Sequence, residues 1–411
     1  MKSNYKILGK FIRPVNIRNV ELKATTLLGV NIGKFFMPSV ANIIGTDMTA
    51  YKIIKKRQFA CNRMHVGRDY RLPVAISTAS EDFLVSPAYD VFEVTNTEEL
   101  LPEYLMMWLS RKEFDRNAWF YTDADVRGGL NWKAFCEMEL PVPNIDKQKE
   151  IVKEYNVLVD RIELNNKIIK KLEETAQAIY RQWFIDFEFP NKDGKPYKSS
   201  GGEMEFNEEL EKDVPKGWRV VNFDDISLIQ NGYAFRSSDY VTSGCKMIRT
   251  TDIDDRGFIN DTNSIFLPIE FYKLDVYSNF KFEEFDFVIV MVGASVGKIG
   301  LITKSNLPSL QNQNMWRLRP KKDSFPRSFI IENAKIINDN VKSQASGSAR
   351  DFYTKDLFKK YRIILPDDNI LAAYKLISES TLSNIGNTFT ENRLLSNLVN
   401  ILLSKIATIN N

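Results

Sequence analysis

The sequence predicts an α+β protein in which two globules alternate with two long helices. Three observations lead there. Apolar residues keep a 3-4 spacing from Ile151 to Trp183, a fainter stripe of the same kind runs from Leu382 to Ile406, and the Leu-Pro pairs at Leu140 and Leu365, ahead of these stripes, lie 225 residues apart. A repeat that long implies duplicated domains, with the helices free to pair as an antiparallel coiled coil and give a pseudo-two-fold internal repeat.

The elements follow in order. Residues 1–143 form the first globule, with strand-like runs "AYKIIKKRQFA" and "YDVFEVT" and a predicted helix over "PEYLMMWLSRKEFDRN". In "LPVPNIDKQKEIV" the prolines end a strand, and Asp146 is a candidate N-cap. The helix of 144–189 has the seam Ile151, Tyr155, Leu158, Ile162, Asn165, Ile169, Leu172, Ala176, Ile179, Trp183, sustained long enough to favour a coiled coil. Some 40 residues make a rod of roughly 60 Å. Residues 190–217 read as a Pro-, Gly-, Ser- and Lys-rich linker. The second globule, 218–366, shows strands at "FDFVIVMV" and "KIGLIT" and a helix near 326–341. The helix of 367–411 carries Leu382, Ile385, Phe389, Asn392, Leu395, Leu398, Leu402 and Ile406. Each stripe holds an asparagine. A buried Asn costs stability but fixes register, so Asn165 and Asn392 are candidate register residues, paired with each other or with a backbone carbonyl. The alternative is a solvated seam edge. Asn166 and Asn392 also lie 226 apart, close to the repeat length.

The 411 residues carry 44% hydrophobic and 12% aromatic side chains, enough for large cores, and no 18-residue apolar run, so a cytoplasmic protein without membrane contact is expected. One histidine, His65, excludes sites built on several. Cys61, Cys136 and Cys245 are odd in number and far apart, which suits neither a disulfide framework nor a metal site. Net charge is only +3, but residues 1–72 hold 14 Lys and Arg against 3 Asp and Glu, and residues 288–366 hold 14 against 5. Two basic regions point to two patches for a polyanion, with a solvated face as the alternative for each.

"MVGASVGKIG" (291–300) has only three residues between Gly293 and Gly297 and Ile299 where a phosphate loop needs a hydroxyl, so it reads as a glycine turn between strands. Lys298 remains available to a DNA phosphate. No amino-methyltransferase motif and no metal-nuclease set is present, and the catalytic residue set is empty. "RMHVGRDYR" places Arg63, His65, Arg68 and Arg71 within nine residues, after Arg57 and Asn62; arginine forks suit guanine edges and phosphates. The second globule offers Arg249, Thr250, Gln311, Gln313, Arg317 and Arg350, and Asn and Gln read adenine. Lys34, Arg127 and Arg236 complete the DNA-binding candidates. Tyr180, Trp183, Phe184 and Phe187 are candidate subunit contacts; Tyr180, Phe184 and Phe187 read as exposed aromatics on the rod, with packing against the globules as the alternative.

The chain resembles the specificity subunit of type I restriction–modification enzymes over nearly its whole length. The resemblance rests on "LPVPNIDKQKEIV", on "IELNNKIIKKLEETAQAIYRQWFIDFEF", on "DGKPYKSSGGEM…VPKGW", and on the globule–rod–globule–rod order. "MHVGRDYRLPVAIS" to "PEYLMMWLSRKEFDR" looks like one class of target recognition domain, "GYAFRSSDYVTSG" with "VGASVGKIGLI" like another. The resemblance implies two target recognition domains reading the halves of an asymmetric double-stranded DNA site, an antiparallel coiled coil setting the gap, and two modification and two restriction subunits as partners. It implies no cofactor on this chain, with S-adenosylmethionine, ATP and Mg entering through the partners. The second rod, "LSNIGNTFTENRLLSNLVNILLSKI", lacks the aromatic ending of the first, so equal partner contacts do not follow. Two other classes stay open: a stand-alone two-headed DNA-binding regulator, and a nuclease hidden in one globule.

Overall fold

A computed structural model of the chain describes residues 4–39, 45–122, 128–260, 263–344 and 353–409. It forms two compact units, 1–162 with 394–411, and 163–393. The division falls inside the long helices, not at the 143/144 and 366/367 boundaries expected from sequence, because each end of a helix packs into the core of a globule.

In the first unit, Ile12–Val15, Asp90–Val94, Phe59–Cys61 and Val74–Ile76 form a four-stranded antiparallel sheet in that spatial order. Phe59 and Phe92 are fully buried and stack at 4.8 Å in a cross-strand pair. The helix expected over 102–117 is two helices, Pro102–Leu109 and Lys112–Phe120. Arg111 is extended between them (φ −75°, ψ 144°), its guanidinium 4.3 Å from the Trp108 ring.

In the second unit, Ser227–Asn231, Met315–Pro320, Phe287–Val290 and Ile299–Leu301 form an antiparallel sheet of four. Taken in chain order, the strands of the two sheets correspond one to one and are arranged in the same spatial order. Unlike sequences thus build like sheets. The closures correspond too. Tyr5–Ile7 pairs with Glu139–Pro141 just before the first long helix, and Arg219–Asn222 pairs with Arg362–Leu365 just before the second. The second unit adds a three-stranded sheet, Ile265–Leu267, Cys245–Ile248, Ser309–Gln311. Gly293 (φ +82°) and Gly297 (φ +74°) make the turn between Phe287–Val290 and Ile299–Leu301, as the spacing predicts.

The first long helix spans Ile145–Phe184, 40 residues, and the second Asp368–Lys405, 38 residues. Asn144, not Asp146, caps the first, accepting from the Lys147 N–H at 2.9 Å. Gln148, fully buried, donates to Glu99 O and Pro143 O and accepts from Leu101 N, pinning this end to its globule. Asp367 caps the second helix. The helices pair antiparallel within each unit. In the first, Ile151 shares a core with Leu403 and Ile406. In the second, Ile169 meets Ile385 and Phe389, and Phe184 packs 4.8 Å from Tyr374. The second stripe departs from the expected one near its end: Leu398 is half exposed and Leu403 takes the inner position.

The stretch 190–217 is not an open linker. Met204–Asn207 and Lys212–Pro215 form a hairpin, Val214 is buried, and Phe189 stacks between Tyr197 and Trp218 at 4.5 and 4.9 Å. Its polar composition hid four apolar anchors, Tyr197, Met204, Leu210 and Val214.

Candidate nucleic-acid interface

In the first globule, Arg57 takes a left-handed turn conformation (φ 65°) and pairs with Glu103 at 2.9 Å. Asn62 caps a short turn by accepting from Met64 N. Arg63 is committed inward, bonded to Asp90 at 2.7 Å and to Leu130 O, with Trp132 5.5 Å from its guanidinium. Arg68 and Arg71 are exposed, Arg68 with Asp69 beside it at 2.6 Å. Gly67 and Gly128 hold this segment: a Cβ on Gly67 would stand 2.8 Å from the Gly128 backbone. Lys34 is interior, paired with Asp115 at 2.7 Å and bonded to Leu109 O; burial lowers its pKa against the raising effect of Asp115. Arg127, Arg350 and the His65 side chain lie outside the described residues.

Beside Arg68 and Arg71 stands a group that the sequence reading missed. Tyr70 lies 5.3 Å from Trp119, and Trp119, Phe120 and Tyr121 all expose large parts of their rings. The run "AWFYT" at the end of an amphipathic helix was the available signal.

In the second globule, one edge of the three-stranded sheet gathers most of the candidates. A Cβ on Gly232 would come within 1.9 Å of Asn312 O, so only glycine lets these backbones meet. The Tyr233 N–H then donates to Gln311 O, Gln313 N to Tyr233 O, and Asn312 N to Ile248 O. This places Arg249, Thr250, Asn312, Gln313, Tyr233 and Arg236 as neighbours. Arg236 and Gln313 are exposed. Arg249 is bonded to Asp252 at 2.7 Å, which raises its pKa, and to Asn263 O. Tyr233 packs on Tyr277 and Phe280 at 5.2 Å each. Exposed arginine and amide groups suit a duplex, whose base edges they read in the grooves.

Two candidates serve the interior here. Gln311, fully buried, donates to Gln230 O and Met315 O. Arg317, 3% exposed, lies 3.9 Å from the buried Asp286 and donates to Lys281 O; burial pulls its pKa down to about 10, still charged at neutral pH. Lys298 pairs with Asp255 at 3.1 Å. Burial raises the Cys61 thiol, and pushes Cys245 up to about 12, so neither is a nucleophile at neutral pH.

The rod aromatics require a correction. Tyr180, Trp183, Phe184 and Phe187 are 3–6% exposed, packed against Tyr374, Phe329 and Trp218 of their own unit. They are core, not an open contact face, so the alternative of packing against the globule is the one that holds. Exposed aliphatics occur elsewhere on the helices, with Leu394, Leu398 and Ile401 at helical spacing on one face of the second.

The register residue is also corrected. Asn165 is buried in the seam with neither side-chain polar atom hydrogen-bonded among the described residues. Its neighbour Asn166 makes the cross-helix bond to Asn392.

The model of the family described as type I restriction modification DNA specificity domain matches residues 73–174 and 215–397. The chain belongs to that family. The first match takes in the second half of the first globule and the second match the whole of the second globule, and each continues over most of the long helix that follows. The specificity subunit of the type I restriction enzyme HindI from Haemophilus influenzae is 24% identical over 91% of this chain and 90% of its own. The MjaIX specificity subunit of Methanocaldococcus jannaschii is 28% identical over 38% of this chain and 35% of its own. In fold, the chain is similar to the crystal structure of a type I restriction–modification S subunit from M. genitalium, with a TM-score of 0.58, 12% identity, and 99% and 96% of the two chains covered. As a specificity subunit, this chain supplies DNA sequence recognition in a type I system. No helix among the described residues is long and apolar enough to cross a membrane.

Proposed function

We propose that the chain recognises an asymmetric bipartite duplex site, one half per globule, and positions two modification and two restriction subunits that carry the chemistry. The observation supporting this is the matched pair of four-stranded sheets, equal in strand order, in globules that expose different residues around them: Arg68, Arg71 and an aromatic cluster in one, Arg236, Gln313 and Tyr233 in the other. Equal scaffolds with unequal surfaces suit two different short motifs. S-adenosylmethionine, ATP and Mg enter through the partners. The aliphatic face Leu394, Leu398, Ile401 is an apolar surface of the kind a modification subunit covers.

Exchange of residues 1–143 for the corresponding globule of a relative tests the reading. Methylated-motif mapping in cells carrying the chimera and its modification subunit should show one half-motif changed and the other kept. A change in both halves, or a native site that is one continuous palindrome, overturns it.

A further inference from the structure

The helix Lys112–Phe120 has an inner face and an outer one. Phe114, Asp115 and Ala118 are buried, at helical spacing toward the core. Trp119 and Phe120 fall outside that stripe, and Tyr121 follows as the C-cap. Three successive rings thus leave the globule where amphipathic patterning calls for polar residues. Phe120 is 77% exposed and stands edge-on to Tyr121 at 5.5 Å. Trp119 leans on Tyr70, which is itself 63% exposed.

Tyr70 is held in the left-handed region, φ +55°, just after the helical turn Val66–Asp69. Glycine is the usual residue at such an exit, and a bulky side chain there strains the backbone. The ring buries little in return, so packing does not account for it. The two segments that carry the rings are tied together from the core. Asp115 Oδ1 accepts from Leu72 N at 3.1 Å and pairs with Lys34 at 2.7 Å. Asp115 lies one helical turn before Trp119, and Leu72 two residues after Tyr70. The rings therefore stand on a fixed frame.

The same two segments are rich in cations. Arg68, Arg71, Lys112 and Arg116 are exposed; Asp69 and Glu113 offset two of the four, and Asp115 is matched by Lys34. Arg71 and Lys112 form no ion pair among the described residues. The centre of a protein–protein contact is depleted of charge. Apolar rings with free cations beside them suit a duplex, whose phosphates flank every base step.

We propose that Phe120, braced by Trp119, Tyr121 and Tyr70, is a wedge: when the first globule meets double-stranded DNA, the ring enters a base step and unstacks it. This rests on the reading that the first globule faces DNA, and not on the site being bipartite. Apolar wedges of this kind kink a duplex and let it lie against more protein surface. They enter most readily at TA and CA/TG steps, each of which has an adenine on one strand or the other. The ring would thus select a deformable step without a hydrogen bond to any base.

The test uses the chain assembled with its modification subunit, on the duplex that the complex methylates. 2-Aminopurine, which brightens on unstacking, replaces in turn each adenine of either strand in and beside the site, the methylated adenine excepted. Wild type should brighten the probe at one step. Phe120→Ala should abolish that rise and lower affinity about tenfold, within the range for loss of one ring–base stack. Phe120→Leu, still an apolar wedge, should keep most of the signal. Tyr70→Gly should melt no lower than wild type, since glycine accepts the left-handed turn, and yet should brighten the probe less. Absence of brightening with wild type overturns the proposal, and so does equal brightening with Phe120→Ala. Loss of the modification subunit from Phe120→Ala also overturns it, because the rings would then be a protein contact. A single continuous site would overturn the bipartite reading alone, and the brightening would still decide the wedge.

Discussion

Asn166 Oδ1 accepts from Asn392 Nδ2 at 3.0 Å across 226 residues of sequence, while the adjacent Asn165 is more deeply buried and bonds to nothing among the described residues. Adjacent asparagines on one helix thus do opposite things: Asn166 holds register, and Asn165 is an energetic burden.

Replacing Asn165 by Leu should therefore stabilise the protein. A buried amide without partners forfeits about 1–3 kcal/mol, and Leu fits an apolar seam. Thermal melting should shift upward with no change of mass in solution. Asn166→Leu should melt lower. A fall in melting temperature for Asn165→Leu would show that its amide is satisfied after all.

Phe184→Ala should cost about 3–5 kcal/mol, the range for a large aromatic removed from a core, because Phe184 touches Tyr374, Phe329 and Trp218. Denaturant unfolding reads this directly. Leu398→Asp should leave stability within about 0.5 kcal/mol and weaken copurification with the modification subunit. The reverse pattern would restore the rod aromatics as the partner face.

Asp286 has no exposed side-chain surface and faces Arg317, Arg319 and Arg327. Removing one side of a buried ionic cluster leaves charge without compensation. Asp286→Ala should thus destabilise by about 3–5 kcal/mol, seen as a lower denaturant midpoint. An effect below about 1 kcal/mol, the range of exposed pairs, would mean that water screens the cluster.

DNA affinity of the complex should fall steeply with salt. Six phosphate contacts give a slope of about −5 in log K against log salt. Ala at Arg68, Arg71 or Arg236 should each reduce the slope by about 1 if that side chain meets a phosphate. Arg317→Ala, by contrast, should act on stability.

The duplication was legible because its markers are local. Leu140-Pro141 and Leu365-Pro366 end closing strands, and helical spacing follows each. The likeness of the two sheets was not legible, since strand pairing such as Phe59 with Phe92 or Ile289 with Trp316 joins distant segments and leaves no periodic trace. Heptad spacing chose Asn165 for register because it places a residue only to within its seam. The 226-residue spacing of Asn166 and Asn392 carried the answer. The aromatics of "YRQWFIDF" read as exposed because their cover, Trp218, Phe329 and Tyr374, comes from far along the chain. Among the DNA candidates, sequence found the arginines but could not separate Arg68, open to solvent, from Arg63, spent on Asp90.

The strand pairs that close the globules have a further consequence. Tyr5–Ile7 runs antiparallel to Glu139–Pro141, and Arg219–Asn222 to Arg362–Leu365, so the chain enters and leaves each globule at a single doorway. A body joined to its support by two adjacent strands is a cassette: it can be lifted out and another set in its place without lengthening any connection or threading the chain elsewhere. New readers can then be installed by splicing at two points, with the helices unaltered.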